Sequence, residues 1–313
     1  MRRNLLSVFI FHNIQLMKGK KMYDIIKVNE KTYYLDNPSR IGIYTPNGEN
    51  AYAIDSGNSE TAAKKLLKAV DSLGLTLTAI FNTHSHADHT GGNALCQSRT
   101  GCRIYAPGSE MYFTNTPSLE AVYLFGGYAP KKLLHTFFTA APSKAEEVRA
   151  DILPDGLEVI PLPGHSFDHV GYRTREGVVF LGDALVSEHT IEKYGITFNY
   201  DIAAAIDSLN KVKKLDGTFF IPCHSAPTAD IAPLADKNID TINSVIAFIL
   251  DNLREPKSFD MFMRDAFRRF NIEMNDAQFA LLGFTMRSYL IFCENSGIVS
   301  HFFADDLMMW KSL

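Results

Sequence analysis

Residues 83–89 read Thr-His-Ser-His-Ala-Asp-His, which places three imidazoles and a carboxylate within the six residues from His84 to His89. Imidazole nitrogen and carboxylate oxygen are the donors that suit zinc, iron and similar ions. Alternate side chains of an extended segment share a side, so His84 and His86 are expected to face the same way. A lone histidine at the end of a strand is ordinarily a solvated or packed ring. Three of them with an aspartate would each cost free energy if buried without a partner, and the cluster reads as the beginning of a metal site. Three more residues share this setting: His165 in PLPGHS, Asp183 in FLGDAL and His224 in IPCHS each come directly after an apolar run. Taken singly they suit a turn, a cap and a packed ring. Together they suit loops that converge at one edge of a sheet, where functional residues concentrate. Cys223, next to His224, is expected to point the other way if that segment is extended.

The elements that must carry these residues are legible as strand and helix periods. From Tyr23 the runs YDIIKV, KTYYL, IGIYT and AYAID, bounded by Asn, Pro and Gly, predict the opening strands of a sheet. A helix is expected over about 60–72, with Leu66, Leu67, Val70 and Leu73 at helical spacing and Ser59 as its cap. The strand LTLTAIF over 75–81 runs into the histidine cluster. A helix near 90–99 and the strand RIYA follow, then an aromatic-rich stretch over 109–155 without a clear period, read as an insertion. Strands resume with LEVIPLP, VGYRT and VVFLGD, a helix covers about 201–215, and TFFIP leads to Cys223 and His224. A connecting helix over 230–253, helices near 258–270 and 275–295, and two short β runs around Ala304-Asp305-Asp306 complete the chain.

This order of motifs resembles the metallo-β-lactamase superfamily, and the resemblance can be followed from about residue 40 to residue 225. It implies an α/β fold, a four-layer αββα sandwich over 22–229, followed over 230–313 by a C-terminal helical, winged-helix-like domain. It assigns Asp55, at the end of AYAID, to orienting the site. By the same resemblance His84, His86 and His165 bind one metal, Asp88, His89 and His224 bind another, and Asp183 bridges the two. The implied cofactors are two zinc ions per chain, with manganese or iron as alternatives. His169 falls near the third motif and is expected to stand behind the ligands, whereas His12, His135 and His301 fall outside any motif.

Two metals that share a carboxylate lower the pKa of a water held between them from about 15.7 to near neutrality, and they polarise a carbonyl or phosphoryl oxygen. Asp88 and Asp183 are the candidate groups for assisting proton transfer. Hydrolysis of a thioester, ester or lactone is the expected reaction, on a small-molecule substrate. The resemblance is closer to glyoxalase II than to the β-lactamases, which generally lack an aspartate at the bridging position, although no glutathione-binding pattern is recognisable. Tyr123, Phe125 and Tyr128 around Gly126-Gly127, and His189 and Tyr194 after the bridging aspartate, are candidates for the pocket wall. Two other readings follow from the tail and the motif. A winged helix beside two metals suits an endoribonuclease, and persulfide dioxygenases share the HxHxDH motif with a single iron.

Composition favours the small-molecule reading. The net charge is −4 with 21% charged residues, and residues 245–313 hold seven Lys or Arg against nine Asp or Glu, so no basic face marks a nucleic-acid partner. The tail is expected to pack over the site or to form a homodimer interface. The four cysteines, Cys96, Cys102, Cys223 and Cys293, form no close pair, which suits free thiols and a cytoplasmic setting. The apolar run from Leu5 to Phe11 is far shorter than the roughly 20 residues that span a bilayer, and no cleavage signal follows it. Translation is expected to start at Met22, after the Lys18-Gly19-Lys20-Lys21 stretch whose codons are purine-rich, leaving residues 1–21 untranslated or as a disordered leader.

Overall fold

The computed structural model describes residues 23–134 and 138–313. The proposed start at Met22, the leader before it, His12 and His135 lie outside the described residues. The chain opens with four antiparallel strands, β1 (Asp24–Lys27), β2 (Thr32–Asp36), β3 (Ile41–Tyr44) and β4 (Asn50–Ile54). Helix α1 (Glu60–Ser72) then crosses over to β5 (Thr76–Phe81), which pairs parallel with β4, as a parallel pair requires a crossover. Ser59 accepts from the backbone amide of Ala62 and so caps α1 as expected. A single helical turn, α2 (Ala87–Thr90), and α3 (Asn93–Thr100) lead to β6 (Arg103–Ala106), parallel to β5.

The stretch read as an insertion is part of the sheet's architecture. It holds α4 (Glu110–Asn115), α5 (Ser118–Phe125) and β7 (Ala145–Glu147), and β7 pairs parallel with β6 as the last of seven strands. Its helices run for only six and eight residues, about two turns, too few for an amphipathic stripe to repeat and stand out in the sequence.

The second sheet has the order β11-β10-β9-β8. Strands β8 (Leu157–Pro161), β9 (Val170–Thr174) and β10 (Val178–Gly182) are antiparallel neighbours. After α6 (Glu188–Tyr194), which the sequence pattern did not reveal, α7 (Ile202–Val212) crosses to β11 (Phe219–Pro222), parallel to β10. Tyr34, Tyr44, Ile54, Phe81, Tyr105, Tyr172 and Phe180 fill the space between the two sheets. Gly42 permits their close approach, because a Cβ there would lie 2.5 Å from the Phe180 ring. Leu66, Val70 and Cys96 of α1 and α3 cover the outer face of the first sheet. Leu209 and Val212 of α7 cover that of the second. The result is the expected four-layer αββα sandwich.

The outer layer on the second sheet continues into the tail: α8 (Ala232–Asn252), β12 (Lys257–Ser258), α9 (Phe259–Arg269), α10 (Asp276–Asn295), β13 (Val299–Ala304) and β14 (Leu307–Ser312). The last three strands form a small antiparallel sheet in the order β12-β14-β13. Ile242, Ile249, Phe262, Leu281, Met286 and Leu290 join Leu209 and Val212 in one continuous core, so the tail shares its interior with the sandwich. No helix among the described residues is long and apolar enough to cross a membrane.

Candidate metal centre

The residues of the cluster come from strand ends or, for His165, from the loop that follows β8. Chain direction carries β4, β5, β10 and β11 to the same edge, where they release Asp55, residues 82–89, Asp183 and Cys223-His224. Asp55 has a positive φ of 62°, a left-handed backbone that costs an ordinary residue free energy and is over-represented at functional sites. Its carboxylate accepts from the Thr83 amide at 2.8 Å, the Thr83 hydroxyl at 2.9 Å and His89 Nδ1 at 2.8 Å. The Thr83 hydroxyl also meets His84 Nδ1 at 3.0 Å. His165 Nδ1 donates to the Phe198 carbonyl at 3.1 Å, and His224 Nδ1 to the Pro38 carbonyl at 2.8 Å. A hydrogen bond at one ring nitrogen fixes the tautomer and leaves the other to act as a ligand. Four imidazoles thereby turn Nε2 toward one centre. His86 is reversed: its Nδ1 lies 3.1 Å from His165 Nε2, and its Nε2 lies 3.4 Å from Glu120 Oε1.

The side chains fall into two adjoining groups. The ligand atoms of His84, His86 and His165 lie within 4.8 Å of one another, and those of His89, Asp183, Cys223 and His224 do the same. Asp88 Oδ2 stands 3.0 Å from His224 Nε2 and 3.3 Å from His89 Nε2, and it accepts from the Ser39 hydroxyl at 2.9 Å. Asp183 lies between the groups, with Oδ1 3.2 Å from His89 Nε2 and Oδ2 3.3 Å from His224 Nε2 and 3.7 Å from His165 Nε2. His169 sits behind it, its Nε2 accepting from the Asp183 amide at 3.0 Å. Gly182 makes this approach feasible, since a Cβ there would come within 2.6 Å of the same nitrogen. The expected outward direction of Cys223 is corrected: its sulfur belongs to the second group. Strand β11 ends at Pro222, so the alternation on which that expectation rested stops one residue too early.

Charge and burial suit a cation. Burial, reinforced by the neighbouring imidazoles His89 and His86, holds His84 well below the ordinary histidine value, and burial brings His86 down to about 3. These neutral rings are ready ligands. At His89 burial opposes the charge, yet Asp88, Cys223 and Asp183 raise it well above the ordinary value, and His224 is raised in the same way by Asp183 and Cys223. Asp183 is held well below the carboxylate range against its burial by His224 and His89. His84 Nε2, His89 Nε2, Asp88 Oδ1 and both Asp183 oxygens are buried without a hydrogen-bond partner. Buried polar atoms without partners are rare, and a set of nitrogen and oxygen donors turned on one another is satisfied by metal ions.

Two further carboxylates escaped sequence reasoning. Glu110 of α4 is 1% exposed and accepts from the Ser85 amide at 3.0 Å, the Ser85 hydroxyl at 2.6 Å and the Asp168 amide at 3.1 Å, so it ties together the loops that carry His84, His86 and His165. Glu120 of α5, 7% exposed, faces His86 and is pushed up to about 8 by burial and by Glu110. The available signal was Glu120 sharing the buried side of α5 with Leu124, one turn later, a charge where the pattern calls for an apolar residue. A narrow cleft beside His86 and His165 is lined by Phe113, Glu120, Tyr123, Phe167 and Phe198 among others. Of the pocket candidates Tyr123 reaches it, whereas Phe125, Tyr128 and His189 are exposed and Tyr194 lies on α6 outside the lining.

Comparison with known proteins agrees with this geometry. A hydroxyacylglutathione hydrolase of Thiobacillus denitrificans is 31% identical over 198 residues, 63% of this chain and 64% of that protein. One from Rhodospirillum rubrum is 30% identical over 162 residues, 51% of this chain and 53% of that protein. The chain thus spans between about half and two thirds of the length of these relatives. A beta-lactamase domain protein of Burkholderia ambifaria superposes with a TM-score of 0.74 at 18% identity, covering 93% of this chain and 95% of that one. A metallo-beta-lactamase family protein of Thermus thermophilus gives 0.67 at 20% identity, with 94% and 98% covered. At such identities these two speak for the fold alone. The family model of the metallo-beta-lactamase superfamily matches residues 38–224, from just before the serine that supports Asp88 to the last histidine of the centre, and the chain belongs to that superfamily.

Proposed function

We propose that the chain is a two-metal hydrolase acting on a small thioester, ester or lactone. The observation that carries this reading is Asp183, whose carboxylate lies within 3.7 Å of His165 on one side and of His89 and His224 on the other, placed to serve both halves of the centre. In this reading His84, His86 and His165 hold one ion, Asp88, His89 and His224 hold the other, and zinc is the ion at each. Bound there, a pair of such ions supplies a water that is nucleophilic at neutral pH and an electrophile for the substrate carbonyl.

The remaining work falls to the chain's own groups. Asp88 Oδ1, buried and without a hydrogen-bond partner, takes the proton that the attacking water loses and returns it to the leaving group. Asp55, Thr83 and His169 keep His89, His84 and Asp183 aimed while this happens. The aromatic cleft takes the acyl part of the substrate and excludes water from it. The names of the relatives, hydroxyacylglutathione hydrolases, support an acyl group as the part attacked. The test is a panel of thioester, lactone, phosphodiester and lactam substrates offered to the zinc-loaded and manganese-loaded chain. Thioester or lactone turnover is expected. Turnover of the phosphodiester alone would replace this reading with a nuclease, and oxygen consumption on a thiol persulfide by a single-iron form would replace it with a dioxygenase.

A further inference from the structure

All four cysteines are buried and free, but their surroundings differ. Cys96, Cys102 and Cys293 lie in the aliphatic cores, the usual place of a thiol acting as a small apolar side chain. Cys223 belongs to none of those cores. Its sulfur instead lies within 4.8 Å of the donor atoms of His89, Asp183 and His224. Its backbone is held from both sides, the amide donating to the Gly182 carbonyl at 2.9 Å and the carbonyl accepting from Arg40 at 3.0 Å. The sulfur is therefore fixed among two imidazoles and a carboxylate. Independently of the cysteine, His89 Nε2 and both Asp183 oxygens in the same group are buried without hydrogen-bond partners.

We propose that Cys223 is a ligand of the metal in the second group, so that this half of the centre presents sulfur, nitrogen and oxygen donors and selects a thiophilic ion. The inference rests on the two-metal reading and deepens it by giving a physical reason for zinc at one half of the centre. Sulfur with imidazole favours zinc, whereas an all-oxygen and nitrogen set leaves manganese competitive. The sulfur binds as a thiolate, and its proton leaves to solvent as the metal enters. The neighbouring half, with His84, His86 and His165 and no sulfur, lacks that preference, so the two halves differ in selectivity.

Cobalt reports a sulfur ligand directly. The full chain, stripped of metal by a chelator, is titrated with Co2+ while bound cobalt is counted by equilibrium dialysis and the near-ultraviolet absorption is followed. We expect two cobalt ions per chain and a sulfur-to-cobalt charge-transfer band. The band disappears in Cys223→Ser and persists in Cys293→Ser, with far-ultraviolet circular dichroism unchanged in both. Zinc competition with a chelator should show the more weakly held ion of Cys223→Ser released at least tenfold more easily than in the parent chain, the scale on which even residues behind the ligands act. Two bound ions without the band in the parent chain, or a band that survives Cys223→Ser, overturn the role of Cys223 and leave the two-metal reading intact. One bound ion with a band that Cys223→Ser abolishes overturns the two-metal reading and keeps Cys223 as a ligand. No bound cobalt overturns both. If Cys223→Ser fails to fold, the spectrum of the parent chain alone decides.

Discussion

Asp55 shows how much of the centre is decided one atom at a time. By accepting from His89 Nδ1 at 2.8 Å it fixes the ring whose Nε2 stands beside Asp88 and Asp183. Asp55→Asn should keep the fold but weaken metal binding by roughly 10- to 100-fold, as loss of a partner behind a metal-bound histidine does, read by chelator competition. Protons compete at the same positions. The surrounding carboxylates raise His89 and His224 well above the ordinary histidine value, so protons compete with a cation for these two rings. Apparent affinity therefore rises with pH and is lost as pH falls. Calorimetry at pH 7 in buffers of different ionisation enthalpy should find net proton release as the ions bind. The ligand-type residues were legible in the sequence because histidines and aspartates after apolar runs have few other uses. Cys223 was misjudged because its direction depends on where β11 ends, and a single residue decides that.

At the scale of elements, the short helices α4 and α5 matter more to the site than their patterns suggest. Glu110 closes α4 onto the two loops that carry His84, His86 and His165, and Glu110→Ala leaves the Ser85 and Asp168 amides without their acceptor. A loss of about 1 to 2 kcal/mol in unfolding free energy is expected from urea titration, the scale of losing hydrogen bonds made to a buried carboxyl. Glu120 carries the opposite sign. Its folded pKa of about 8 stands above the ordinary carboxyl value, so its charged form opposes folding above pH 4.5, increasingly until pH 8. Glu120→Gln should therefore stabilise the metal-free chain, and by more at pH 8 than at pH 5, as thermal unfolding across that range would show. Long amphipathic helices such as α1 and α7 were legible to within a few residues, because several turns repeat the same apolar stripe. The stripes of α4, α5 and α6 are too short to repeat in this way, so these helices were hidden and with them both carboxylates.

The whole molecule joins the tail to the site. Phe284 of α10 stacks on Phe198 with ring centroids 5.3 Å apart and meets Tyr123 edge-on at 4.6 Å, and Phe198 in turn packs against His86 and His165. Sequence periodicity located the tail's helices and hairpin, but only the fold brings Phe284, distant in the chain, against the back of the cleft wall. Phe284→Ala should raise KM for a hydrophobic acyl thioester several-fold while leaving metal content unchanged, as the ring lies behind the wall and not among the donors. In the proposed reaction hydrolysis requires both halves of the centre, joined at Asp183. The direct measurement is the rate of thioester hydrolysis by the metal-free chain as zinc is added in counted equivalents. The rate should stay low through the first equivalent, rise with the second and level off at two. Full activity at one equivalent, or turnover by the metal-free chain, would rule out a reaction that needs both halves.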